Sequence, residues 1–143
     1  MMAGNVVSAT VGAIKRQDPS AVFMAKAHGL LLAAEKAYQD GRYSDALEQG
    51  YQAALRIAGS RISPLSQRKR KRAGVSVWEK LASVDEAGEA QAQIFEPYSA
   101  VRSRVLNGLD KDVSPICVRR LLAHVSEFID FAERERGWLS PAA

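Results

Sequence analysis

Five consecutive cations, Arg68, Lys69, Arg70, Lys71 and Arg72, have the plainest chemical consequence of any residues in this chain. A run of that density attracts phosphates, because binding releases the counterions condensed on a polyanion. Residues 56–72 add Arg56 and Arg61, making seven cations with no acid among them. The formal net charge is +4, so taking away those seven leaves the rest of the chain at −3. The basic character therefore belongs to one segment. Arg61 and Arg68–Arg72 are the candidate nucleic-acid-binding residues. The nearest aromatic to the run is Trp78. Contact with a polyanion is therefore expected to be phosphate-led, sensitive to salt and poor at telling sequences apart. The competing readings are a solvated, mobile loop and a docking site for an acidic partner protein.

Other reactive side chains are sparse. Cys117 is the single cysteine, so no internal disulfide can form, which fits a reducing cytosol. Its place near a helix start could lower its pKa. No histidine lies one turn away, however, and a small buried hydrophobe is the better reading. Two histidines and one cysteine give no zinc spacing, so no metal is expected. His28, mid-helix beside Gly29, reads as a packing residue. Neither Gly-x-x-x-x-Gly-Lys nor Gly-x-Gly-x-x-Gly occurs, so no cofactor is expected. No apolar run is long enough to span a bilayer, and the start, MMAGNVVSAT, lacks the features of a signal peptide. These observations predict a cytoplasmic protein without membrane partners. At 143 residues, 47% hydrophobic and 25% charged, the chain fits one domain with one core.

The elements that must position these residues all carry a helical period. Residues 1–17 show little periodicity and read as a flexible lead-in. A single domain is expected over 18–138, with a basic loop at 60–74 and a tail at 139–143. Asp18-Pro19 starts the first helix, with Phe23, Ala27, Leu30, Ala34 and Ala37 along one face and Gly41 at its end. Ser44 is the expected cap of a second helix ending near Gly59, striped by Leu47, Tyr51, Ala54 and Ala58. The short link between the two forces them to lie antiparallel. Ser76 with Glu79 makes a capping box, followed by Trp78, Leu81 and Val84. A longer helix is predicted from Asp85 to about Leu106, striped by Ile94, Tyr98, Val101 and Val105, with a kink or break at Pro97. Asn107-Gly108 ends it. The last helix begins at Ser114-Pro115 and buries Val118, Leu121, Leu122, Val125, Ile129 and Ala132. Gly137 stops it, and Trp138 can fold back against it. No segment alternates as a strand does. The fold class is all-α, an antiparallel bundle of about five helices.

The helical hairpin Leu31–Ala58, with Gly41-Arg42-Tyr43 at its turn and Ala53-Ala54-Leu55-Arg56 beyond, resembles the HEPN superfamily. Trp78-Glu79 with Leu81, and Leu121-Leu122 with Phe128, extend the resemblance over roughly residues 20–136. It is closest to an actinobacterial subgroup of small stand-alone HEPN proteins. Many HEPN proteins are ribonucleases that work as dimers, with an arginine and a histidine several positions apart in the last helix. Here Arg119-Arg120-Leu121-Leu122-Ala123-His124 has that spacing. The resemblance implies that Arg119 holds the scissile phosphate and His124 moves the proton. A regular helix sets the two side chains about 140° apart, so they converge only through a distorted turn or across a dimer. Arg120, four positions from His124, shares its face.

Three readings follow. The first is a non-catalytic HEPN-like module, a homodimer that binds nucleic acid or another polyanion through its basic loop. The second is a metal-independent endoribonuclease using Arg119 and His124 across a dimer. The third is a protein-interaction subunit whose basic loop meets an acidic partner.

Overall fold

A computed structural model describes residues 18–62 and 76–137, and they form five helices. These are α1 (Pro19–Gln39), α2 (Tyr43–Arg61), α3 (Val77–Ala82), α4 (Glu86–Leu106) and α5 (Pro115–Glu135). No strand occurs among the described residues. Four of the five starts use the side chain that the sequence offers. The Asp18 carboxylate accepts from Ser20 N at 3.0 Å, and Ser76 Oγ accepts from Glu79 N at 3.1 Å. Asp85 Oδ1 accepts from Gly88 N at 2.6 Å, and Ser114 Oγ accepts from Cys117 N at 3.3 Å. Each occupies one of the backbone donors that a helix start leaves without an intrahelical partner.

The exception is α2. It begins at Tyr43, with Arg42 in the cap position and no side-chain cap, so the expected Ser44 lies inside the first turn. The turn itself accounts for the difference. Gly41 takes φ +78°, and Arg42 N returns to Ala37 O at 2.8 Å, so the chain has already reversed by Arg42. At its other end α2 runs two residues past Gly59, to Arg61. Of the kink or break expected at Pro97, the break does not occur. α4 passes through Pro97, which is exposed, so the carbonyl left without an amide partner one turn back can be hydrated. Gly108 and Gly137 close α4 and α5 at φ +71° and +75°. Trp138 lies outside the described residues.

α1 and α2 pack along their length as an antiparallel hairpin, and α2 also lies against α5. Small residues let the hairpin close: Ala27, Ala34 and Ala37 on α1 and Ala46, Ala53, Ala54 and Ala58 on α2 are all fully buried. α5 buries the whole expected face, Val118, Leu121, Leu122, Val125, Ile129 and Ala132, together with Phe128. The third side of the core is aromatic. Trp78 stacks on Phe95 (centroids 5.5 Å apart), and Phe95 stacks on Phe128 (5.1 Å). The Trp78 indole Nε1 donates to the Tyr51 hydroxyl at 2.9 Å, giving this buried N–H its partner.

Two stripes depart from expectation at one position each. In α1 Met24 takes the core place, and Phe23 is half-buried at the margin. In α4 Phe95 is buried and Ile94 is 39% exposed. Tyr98, Val101 and Val105 pack partly buried against the core, as expected.

Candidate functional site

The basic run Arg68–Arg72 lies outside the described residues. Its roots are described: the chain leaves α2 at Ile62 and rejoins at Ser76, the cap of α3. Between these roots, α1, α2 and α3 enclose a cleft of about 440 Å³. α2 presents Gln52, Leu55, Arg56 and Gly59 to it, at the i, i+3, i+4, i+7 spacing of one helical face. Val77 and Lys80 face it from the first turns of α3, and Phe23 reaches it from α1. The cleft thus has apolar walls and two cations. Neither Arg56 nor Lys80 forms an ion pair with a carboxylate among the described residues. The sequence hid this site, because Phe23 is far from residues 56 and 80 along the chain and continues the apolar face of Ala27, Ala34 and Ala37.

Arg61 is a correction to the expected phosphate-binding set. Its side chain is 2% exposed and points inward. The guanidinium forks onto Glu135, with Nε to Oε1 at 3.0 Å and Nη2 to Oε2 at 2.8 Å. It also donates to Asp85 Oδ2 at 2.7 Å and to Gln91 Oε1 at 2.9 Å, and lies 5.0 Å over the Phe131 ring. Burial opposes the charge on Arg61, but Glu135 and Asp85 outweigh it and hold the guanidinium protonated above its ordinary range. The same contact, helped by the Gly88 N–H and opposed by partial burial, holds Asp85 below its ordinary range. Arg61 therefore ties the end of α2 to the start of α4 and the end of α5, and offers nothing to a ligand. Its partners lie 24, 30 and 74 residues away, beyond any local pattern.

The Arg119–His124 pair is not assembled within one chain. Arg119 is exposed near the start of α5. His124 is half-buried, its ring edge-on to Phe95 at 6.3 Å. It lines a second cleft of about 400 Å³ between α4 and α5, where Phe131, Glu127, Asp130 and Arg134 also lie and Arg119 does not. Arg120 is exposed. Cys117 does not gain an activated thiol from the helix start. Burial pushes its pKa up, and Arg120 only partly offsets that. His28 is exposed rather than packed, with Nε2 2.9 Å from Glu133 Oε2, joining α1 to α5.

Among the described residues, no group of three or more His, Cys, Asp or Glu is placed to hold a metal. No described helix is long and apolar enough to cross a membrane.

The sequence model of the HEPN_SAV_6107-like HEPN family matches residues 33–133. The chain belongs to the HEPN family. The matched span runs from the middle of α1 almost to the end of α5. The HEPN match thus includes Arg56, Lys80, the basic run, Arg119 and His124. Only Phe23, of the side chains lining the α1–α2–α3 cleft, precedes it. No curated protein and no solved structure matches this HEPN chain.

Proposed function

We propose that this HEPN protein is a non-catalytic homodimeric module of the cytosol that binds nucleic acid, or a polyanion like it, through Arg68–Arg72. The observation that supports it is where positive charge is left unspent. Arg42, Arg61, Arg102, Arg104 and Arg136 all bind carboxylates. Among the described residues Arg56 and Lys80, beside the roots of the five-cation run, do not, and neither do Lys26, Lys111, Arg119, Arg120 and Arg134; only Arg56 and Lys80 of these stand next to the run's segment. Cations held by neighbouring carboxylates have little left to offer a phosphate, whereas unpaired ones can displace its counterions. The test is binding of labelled RNA and DNA at low salt, with Arg68–Arg72 replaced by Ser. The reading expects binding that the replacement abolishes. Undiminished binding by the variant would refute it. No binding by either form would leave the protein-interaction reading.

The ribonuclease reading keeps one observation in its favour: His124 lines an open cleft. Since Arg119 does not face that cleft, the pair could act only between two copies of the chain. RNA cleavage that persists with chelator and vanishes in an Arg119→Ala, His124→Ala double variant would establish it. Intact RNA after incubation with pure protein is the result expected here.

A further inference from the structure

We infer that the α4–α5 cleft is a binding site for a small organic cation, an ammonium group carried on an apolar body. The inference is independent of the polyanion reading, because the cleft shares no residue with the basic run and calls for a ligand of opposite charge.

The apolar half of the site comes from both helices. Phe95 and Phe128 line the cleft as buried side chains, their rings stacked 5.1 Å apart. Ile94 on α4 is exposed and Phe131 on α5 is half-buried, so both still hold water at their surfaces. Covering them releases that water, and an apolar body gains by entering. The volume, about 400 Å³, is within the range of small-ligand sites.

Charge decides what the apolar body must carry. Glu127 and Asp130 line the cleft three positions apart, on one face of α5. Neither forms an ion pair among the described residues. The lining holds one arginine, Arg134, which is also unpaired among them. Two carboxylates against one guanidinium favour a cation, and burial widens the margin. Asp130 is half-buried and Arg134 exposed, so water and salt screen the guanidinium more than the carboxylate. Gln91 is already engaged, its Oε1 accepting from Arg61 at 2.9 Å. A phosphate entering here would meet two like charges, which separates this cleft from the polyanion contact.

The experiment compares three ligands that share a body and differ in charge: phenethylamine, phenethyl alcohol and hydrocinnamate. Each is titrated into the full chain at low salt and about pH 8, where histidine ordinarily carries no charge. Shifts of backbone amide signals give both affinity and location. The amine should bind tightest and the carboxylate weakest, with the shifts on α4 and α5. Asp130→Asn and Glu127→Gln should each weaken the amine about two- to fivefold, the effect of one charge at a solvated site, and leave the alcohol unchanged. Arg134→Gln should strengthen the amine, and Ile94→Ala should weaken amine and alcohol alike. The three charge variants lose no ion pair among the described residues, so unchanged melting curves are expected and show that they are folded. Equal affinity for amine and alcohol overturns the inference, as does tighter binding of the carboxylate or no binding of the amine at millimolar concentration. Displacement of the amine by an oligothymidylate would give the cleft to nucleic acid and overturn it, whereas simultaneous binding supports it. Displacement by an oligolysine at far lower concentration than the amine would give the cleft to a basic peptide and likewise overturn it.

Discussion

Replacing Arg61 tests whether this arginine is a structural clamp or a ligand-facing cation. Its fork holds Glu135 through two hydrogen bonds, and further donors reach Asp85 and Gln91. Removing one member of a buried ion pair costs about 3–5 kcal/mol, mostly through the charge left behind. Here the arginine is 2% exposed, but Asp85 and Glu135 are each 42% exposed and regain water once it is gone. The lower end applies, and Arg61→Ala should lose about 3 kcal/mol. For a domain of this size that lowers Tm by about 10 °C. Arg61→Lys keeps the charge but not the fork, and should lose about half as much. The penalty must also depend on pH. Asp85 is held below its ordinary value of 3.8, so its share of the stability is present above that value and lost as pH falls through the folded-state pKa. Thermal melts of wild type and Arg61→Ala should therefore converge as pH drops below about 4. Because Arg61 faces inward, Arg61→Lys should retain wild-type affinity for polyanions. A Tm within about 2 °C of wild type for Arg61→Ala, or a gap that does not narrow in acid, would refute the clamp.

Other outcomes follow from packing. Leu121 is 0% exposed in the core, so Leu121→Ala should cost about 2–5 kcal/mol in denaturant unfolding. Gly88→Ala should destabilise more than Gly50→Ala, by about 3 against about 1–2 kcal/mol. A methyl at 88 would stand 2.2 Å from the Leu81 carbonyl oxygen, which is backbone, whereas at 50 it meets the movable end of Leu122 at 2.7 Å. Equal melting temperatures for the two variants would count against this packing. Replacing Arg68–Arg72 with Ser should change stability by under about 0.5 kcal/mol, and a large drop in Tm would make the run structural.

The all-α class and four helix starts were legible because Asp18, Ser76, Asp85 and Ser114 each precede a periodic stretch and each accepts a helix-start N–H. The buried face of α5 was legible except for Phe128. It has the strongest segregation of apolar from polar residues in the bundle, so only one face could turn inward. At the ends of weaker stripes, a 3.6-residue period leaves a choice between the third and fourth residue back. Phe23 and Ile94 stand four residues back from Ala27 and Tyr98, and Met24 and Phe95 stand three back. Tertiary packing decided both. Phe95 is fixed by its stack between Trp78 and Phe128, while Met24 fills the core and leaves Phe23 at the cleft. The same limit hid the candidate site. Charge density marked the run from residues 68 to 72, but it could not show that Arg61 has carboxylate partners on α4 and α5. Nor could it show that Phe23, Arg56 and Lys80 share one cleft. The Arg119 and His124 spacing was visible as text. Whether the two side chains face each other depends on helix geometry, which in one chain sets them apart.

The most direct measurement of the central claim is the salt dependence of single-strand binding, compared between wild type and the Arg68–Arg72→Ser variant. Each phosphate neutralised on a single strand contributes about 0.7 to the slope of log affinity against log salt. Five cations removed should flatten the slope by up to about 3.5. Slopes that coincide, with affinity unchanged, would show that the charge gathered in this segment is not what holds the polyanion.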